Sequence, residues 1–295
     1  MTLLAAARDR IAREIDAGFD ALLALPADPR LKLVEAVRYA CIGGGKRLRP
    51  LLLVATAELY GADRESALRA ALAVEAMHVY SLIHDDLPCM DDDDLRHGKP
   101  TVHKAFDETT AVLAGDALQA LAFELHADPA TCGDPFARSE LVLVLAQATG
   151  INGMVGGQAL DMAAEDQYFD LPAVTRLQSL KTGALLSAAV EMGTVLARVP
   201  TEGRGQLRAY ARDIGLAFQI ADDLLDHAGD TDSLGKAAGK DAAAGKATFV
   251  GLLGADRAEG QARMLVEQAV GHLAQHGEEA ELLREIARYI VERDR

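Results

Sequence analysis

The stretch that decides the reading of this chain is Ser81-Leu-Ile-His-Asp-Asp-Leu-Pro-Cys-Met-Asp-Asp-Asp-Asp-Leu-Arg96. Six aspartates and an arginine follow directly on an apolar run. A second acidic cluster, Phe218-Gln-Ile-Ala-Asp-Asp-Leu-Leu-Asp226, closes another apolar run far downstream. Two such clusters, each ending an apolar helix, can face each other across a cavity. Carboxylates brought that close repel unless a hard cation such as Mg²⁺ sits between them. An acidic, metal-loaded mouth over an apolar pocket suits a substrate with a diphosphate head and a hydrocarbon tail.

Composition supports a helical frame for those runs. Half of the 295 residues are hydrophobic, Trp is absent and aromatics are few. Ala and Leu dominate, and strand-favouring runs are scarce, so the expected fold is all-α. The length allows one large core, and a single domain over 1–295 is expected. A net charge of −15 excludes general nucleic-acid binding, which needs a basic face. Cys41, Cys89 and Cys132 lack metal-ligand spacing and read as reduced thiols of a cytoplasmic protein. The N-terminal segment mixes Asp9, Glu14 and Asp16 with arginines, which fits an amphipathic helix and not a secretory signal. Leu141 to Leu160 is uncharged but broken by Gly150, Gly153, Gly156 and Gly157. It reads as a buried core helix with a kink or tight approach, and no membrane insertion is expected.

Helical periodicity predicts helices over 3–25, 31–42, 51–59, 66–86, 109–127 and 138–155. One or two helices are predicted over 171–196, then a loop at 200–205, the helix bearing the second acidic cluster, and two closing helices. Residues 229–247, rich in Gly, Asp and Lys, read as a mobile loop or lid.

Asp222 and Asp226 are four apart and share a helix face, with Gln219 on the same stripe. Asp85 and Asp91 are six apart, about 120° around an ideal helix. Pro88 makes an unbroken helix implausible, and a kink or bulge would return Asp91 to the side of Asp85. His78, Ser81 and Asp85 fall on one stripe. Gly43-Gly-Gly-Lys-Arg-Leu-Arg-Pro50 offers backbone freedom and three cations for a phosphate, though it is not a P-loop. A solvated acidic helix end explains either cluster taken alone. It does not explain two of similar form.

In order along nearly the whole chain, these motifs resemble the trans-isoprenyl diphosphate synthases, of the bacterial farnesyl diphosphate synthase type. Gly157-Gln158…Asp161, Lys181-Thr-Gly183 and Gly235-Lys236 add to the resemblance. It implies long helices around a deep central cavity, usually in a homodimer. It implies head-to-tail condensation of isopentenyl diphosphate with an allylic diphosphate, using three Mg²⁺ ions. Asp85 and Asp91 would hold two ions and Asp222 the third, with Asp86, Asp223 and Asp226 in support. Arg96, Lys181 and Lys236 would bind the allylic diphosphate, and Lys46, Arg49 and His78 the isopentenyl diphosphate. The Lys181 carbonyl, the Thr182 hydroxyl and Gln219 would face the allylic cation.

His97 stands where the family commonly has a second arginine for isopentenyl diphosphate. A neutral imidazole offers one donor there in place of a charged fork. Tyr80 lies five residues before Asp85, about 7.5 Å deeper if helical. In the family an aromatic there, with the two-residue insertion seen in Asp85-Asp-Leu-Pro-Cys-Met-Asp91, accompanies a fifteen-carbon product. The alternative is a geranylgeranyl diphosphate synthase of the same fold. A terpene cyclase fits worse, because its second metal motif typically mixes Asn, Ser or Thr with Glu. A non-catalytic subunit of a heteromeric synthase usually loses an acidic motif, and both are present.

Overall fold

The computed structural model describes residues 2–164, 167–229 and 248–292. Several of its helices start at side-chain caps. Asp63 accepts from the Ser66 amide at 2.8 Å and opens α4, Arg64–Asp85. Asp107 accepts from the Thr110 amide at 2.7 Å and opens α6, Glu108–Ala127. Each side-chain oxygen satisfies an amide that the first helical turn leaves without a partner.

Before them run α1, Leu3–Leu22, α2, Leu31–Cys41, and α3, Leu48–Leu59. The short α5 is Val102–Ala105. Then follow α7, Pro135–Thr149, α8, Met154–Ala163, α9, Leu171–Gln178, and α10, Ala184–Leu196. The helix of the second acidic cluster is α11, Gly205–Ala228. The chain closes with α12, Phe249–Leu253, α13, Ala255–His272, and α14, Glu281–Glu292.

The predicted all-α class is what the fold shows, with local corrections. The predicted 138–155 helix is two helices, because the chain turns through Gly150–Gly153 before α8. The span 171–196 is one continuous path interrupted by a π-turn at Ser179–Gly183. Three helices, not two, follow residue 248. The loop at 200–205 contains a 3₁₀ turn, Thr201–Arg204. An unforeseen two-residue hairpin, β1 Leu95–Arg96 with β2 Lys99–Pro100, follows the first acidic motif. The stretch read as a lid, Lys236 included, lies outside the described residues apart from Gly229.

Helix α4 is the centre of the bundle, since Ala67, Ala70, Ala71, Val74, Met77 and Ile83 bury almost its whole circumference. Its alanines let neighbours approach closely. One cluster of buried apolar side chains runs from Leu4 to Ile290, so the first and last helices share a core. The Tyr210 hydroxyl of α11 donates to the Leu283 carbonyl of α14 at 2.7 Å. No helix among the described residues is long and apolar enough to cross a membrane.

Candidate active site

Helix α4 ends at Asp85, and the chain curls back on itself immediately. The Asp91 amide donates to the Asp85 carbonyl at 2.9 Å, and the Asp93 amide to the Asp86 carbonyl at 3.2 Å. The loop, not a kinked helix, returns Asp91 to Asp85. Burial pushes the Asp85 carboxyl up to about 6, with Asp91 and Asp86 adding to the rise and Lys181 and Arg96 opposing it. Asp86 is buried and engaged. Arg96 Nε donates to its Oδ1 at 3.0 Å, and Arg96 Nη2 reaches both Asp86 and, at 3.2 Å, Asp93.

Lys181 acts on Asp85 from the other half of the chain. It sits in the π-turn, where one extra residue per turn re-aims the side chains that follow. Its ammonium donates to Asp161 Oδ2 at 2.7 Å. The Thr182 hydroxyl donates to Gln219 Oε1 at 3.1 Å, Gln219 Nε2 donates to Asp223 Oδ1 at 3.1 Å, and the Phe249 amide donates to Asp223 Oδ2 at 2.8 Å. This relay fixes the Gln219 amide and ties the π-turn to the second acidic motif. Asp222 and Asp226 lie half-buried on the same helix.

Two close approaches make this possible. A Cβ on Gly157 of α8 would stand 2.1 Å from the Lys181 amide nitrogen, so only glycine lets α8 lie on the π-turn. A Cβ on Gly115 of α6 would stand 2.1 Å from His84 Nε2. That gap admits the His84 ring, against which Tyr80 packs edge-on with centroids 5.0 Å apart. Tyr80 is half-buried, and Met77, one turn deeper, is fully buried. Burial and then the Asp85 charge raise the Tyr80 phenol above its ordinary range.

The Gly43–Pro50 segment splits into roles that its composition does not reveal. Arg47 is buried and structural. It donates to Glu75 at 2.7 Å, to Asp16 at 2.7 Å and to the Cys41 carbonyl. Lys46 is exposed, and Arg49 keeps a buried Nε that has no acceptor among the described residues. A buried donor in that condition is what a phosphate oxygen satisfies. His78 is close enough to Arg49, Arg96 and Arg47 to feel their charge and to the His97 ring to feel its protonation, and burial followed by Arg49 holds its imidazole well below the usual range. Lys46 and Arg49, with the His97 and His78 imidazoles respectively within reach of their charge, make a basic wall, and Arg96 acts both on these imidazoles and, with Lys181 and Asp91, on Asp85. Arg49 also feels Asp222, which links the wall to the second motif.

Among the described residues, no three His, Cys, Asp or Glu side chains form a ready-made metal cluster. The donor set is nevertheless all carboxylate oxygen, the set a hard dication takes, and Asp91 and Asp86 add a smaller repulsion to the rise that burial gives the Asp85 carboxyl, a repulsion such an ion relieves. Sequence reasoning missed the pairing of Asp161 with Lys181 and the clamp on Arg47. Both left signals: Asp161 four residues after Gly157, and Glu75 alone inside the apolar run of α4.

The model of the polyprenyl synthetase family matches residues 31–290. The farnesyl diphosphate synthase of Escherichia coli (strain K12) is 46% identical over 271 residues, covering 89% of this chain and 90% of that protein. Geranylgeranyl pyrophosphate synthase 3, chloroplastic, of Arabidopsis thaliana is 46% identical over 265 residues, covering 88% of this chain and 73% of that protein. The apo crystal structure of an FPP/GFPP synthase from Zymomonas mobilis superposes with a TM-score of 0.90 at 57% identity, over 98% of each chain.

Proposed function

The chain belongs to the polyprenyl synthetase family, and on that premise we propose that it is a farnesyl diphosphate synthase. It is a prenyltransferase that joins isopentenyl diphosphate head-to-tail to dimethylallyl or geranyl diphosphate. The observation that carries this reading is the π-turn relay, in which Thr182 binds Gln219 and Gln219 binds Asp223 of the second acidic motif while neighbouring Lys181, paired with Asp161, lies within electrostatic reach of Asp85 of the first.

In this reading Arg96, Lys181 and Lys236 bind the allylic diphosphate. Asp85 and Asp91 would hold two Mg²⁺ ions and Asp222 a third, with Asp86, Asp223 and Asp226 in support. Bound Mg²⁺ supplies Lewis-acid stabilisation of the charge growing on the leaving diphosphate. Lys181 and Arg96 add hydrogen bonds to the same oxygens as the carbon–oxygen bond breaks. The Thr182 hydroxyl oxygen, the Lys181 carbonyl and the Gln219 amide oxygen, its orientation set by Asp223, face the positive carbon. Lys46, Arg49, His78 and His97 hold isopentenyl diphosphate so that its double bond attacks that carbon. The π electrons form the new carbon–carbon bond and leave a tertiary cation on the isopentenyl unit; the carbon next to that cation then loses a proton to the departed diphosphate, and the C–H electrons restore a double bond. The apolar walls keep out water, which would trap the cation as an alcohol.

Equal identity to a farnesyl and a geranylgeranyl synthase does not choose the product. Tyr80 favours fifteen carbons, because it lies five residues before Asp85 on α4 with its ring packed edge-on against His84. A single domain, a homodimer and a cytoplasmic location complete the reading. The test is purified protein with Mg²⁺, labelled isopentenyl diphosphate and each starter, with products separated by chain length. Fifteen-carbon product, abolished by EDTA and restored by Mg²⁺, is the expected outcome. No product with any starter would instead favour a non-catalytic subunit.

A further inference from the structure

The hairpin after the first acidic motif turns through His97 and Gly98, whose φ angles are 52° and 74°. Both are left-handed, the requirement of a two-residue primed turn that keeps adjacent strands paired. The register sets Arg96 opposite Lys99, so the two side chains leave the same face of the ribbon. Arg96 is engaged by Asp86 and Asp93. Lys99 has no ion pair among the described residues. Its ammonium lies 5.9 Å from the centre of the Tyr39 ring. It also lies 3.7 Å from where a Cβ would stand on Gly43. The Tyr39 hydroxyl in turn donates to the Pro100 carbonyl at 2.8 Å, which fixes the ring beneath the hairpin.

The hairpin therefore lays a cation against the first residue of the basic loop, the loop that carries Lys46 and Arg49. His97 lies beside the next two glycines, with Cδ2 3.7 Å from a Cβ on Gly44 and Nε2 3.8 Å from one on Gly45. Burial, and then Arg96, Arg47, Lys46 and Lys99, hold the His97 imidazole below its ordinary range, so it stays uncharged at neutral pH. Of the two side chains the hairpin presents to the loop, only Lys99 brings a charge.

We propose that Lys99 is a phosphate-binding residue for isopentenyl diphosphate, closing the basic wall of Lys46 and Arg49 from the hairpin side. The proposal rests on the reading of that wall as the isopentenyl diphosphate subsite. Tyr39 holds the ammonium by its ring face without neutralising it, leaving its charge for the substrate.

The experiment is steady-state kinetics of wild type, Lys99→Met, Lys99→Arg and Lys46→Met, varying isopentenyl and geranyl diphosphate in turn. Thermal melts confirm that each variant folds. Lys99→Met should raise KM for isopentenyl diphosphate roughly tenfold and leave that for geranyl diphosphate within about twofold. Lys99→Arg, which keeps the charge, should restore most of the loss. An unchanged KM in Lys99→Met, an equal rise for both substrates, or an equal defect in Lys99→Arg would overturn the assignment. Lys46→Met separates the two levels. A raised KM for isopentenyl diphosphate there, with Lys99→Met normal, overturns only the role of Lys99. An unchanged one overturns the subsite reading itself.

Discussion

On the proposed reading Asp85 is the residue on which the chemistry turns, and its environment states its cost. Burial and two neighbouring carboxylates push it up to about 6, so it carries its charge reluctantly until a cation arrives. Asp85→Ala or Asp222→Ala should lower turnover by two or more orders of magnitude, roughly the loss of a principal electrostatic contact in the transition state. Their circular dichroism should match wild type, since neither side chain belongs to the apolar core. Near-normal turnover in both would contradict the two-motif site. His126 tests the physics away from the site. Its ring is fully buried, its Nε2 meets the Ala70 carbonyl at 3.4 Å, and burial lowers its pKa from 6.5 to about 4. The unfolded chain takes up this proton below pH 6.5, whereas the folded chain resists until about 4. The stabilisation is therefore complete above 6.5 and is lost as pH falls toward 4. Between pH 7.5 and 4.5 wild type should lose roughly 2.5 kcal/mol more than His126→Phe in denaturant titrations. Equal losses would show that His126 is not the group responsible. The acidic residues of the site were legible because two clusters of one form are improbable by chance. The role of Arg47 was not, because a buried arginine and a phosphate-binding one read alike until Glu75 and Asp16 are seen to close on it.

At the scale of elements, the π-turn is the device that joins the halves. It presents Lys181 to Asp161 and Asp85, and Thr182 to Gln219. Helix α8 must lie against it at a distance only glycine allows. Gly157→Ala puts a Cβ 2.1 Å from backbone, so α8 has to shift and loosen the Asp161–Lys181 pair. The variant should lose about 1–3 kcal/mol of stability. Its KM for the allylic diphosphate should rise while that for isopentenyl diphosphate stays near wild type. An unaltered allylic KM would mean the Asp161–Lys181 pair does not position the lysine for substrate. The long helices were legible in the sequence because Ala- and Leu-rich runs lie between Gly and Pro breaks, whereas their first residues were set by the Asp63 and Asp107 caps, which only the structure shows. The π-turn was not, since one extra residue leaves composition and period almost unchanged. The hairpin was hidden for another reason. Its strands are two residues each, and it depends on left-handed backbone at His97, which is a conformation and not a composition.

At the scale of the whole molecule, one continuous core from Leu4 to Ile290 holds the two acidic motifs in register around an apolar interior. On the proposed reading the head chemistry sits at the ends of α4 and α11, and product length is decided at Tyr80, about one and a half turns back along α4. Tyr80 is locked there: His84 stands against its ring, and Gly115 opens the space that His84 fills. Tyr80→Ala removes the ring and leaves room for a longer tail, whose burial is favourable by about 0.8 kcal/mol per methylene. It should also cost stability, around 3 kcal/mol for a large-to-Ala change in a packed site. The measurement that tests the account most directly is the product distribution of wild type and Tyr80→Ala, read by mass spectrometry with Mg²⁺, isopentenyl diphosphate and geranyl diphosphate. The account predicts fifteen-carbon diphosphate from wild type and twenty carbons or more from the variant. Mostly twenty-carbon product from wild type, or an active variant still stopping at fifteen, would contradict it.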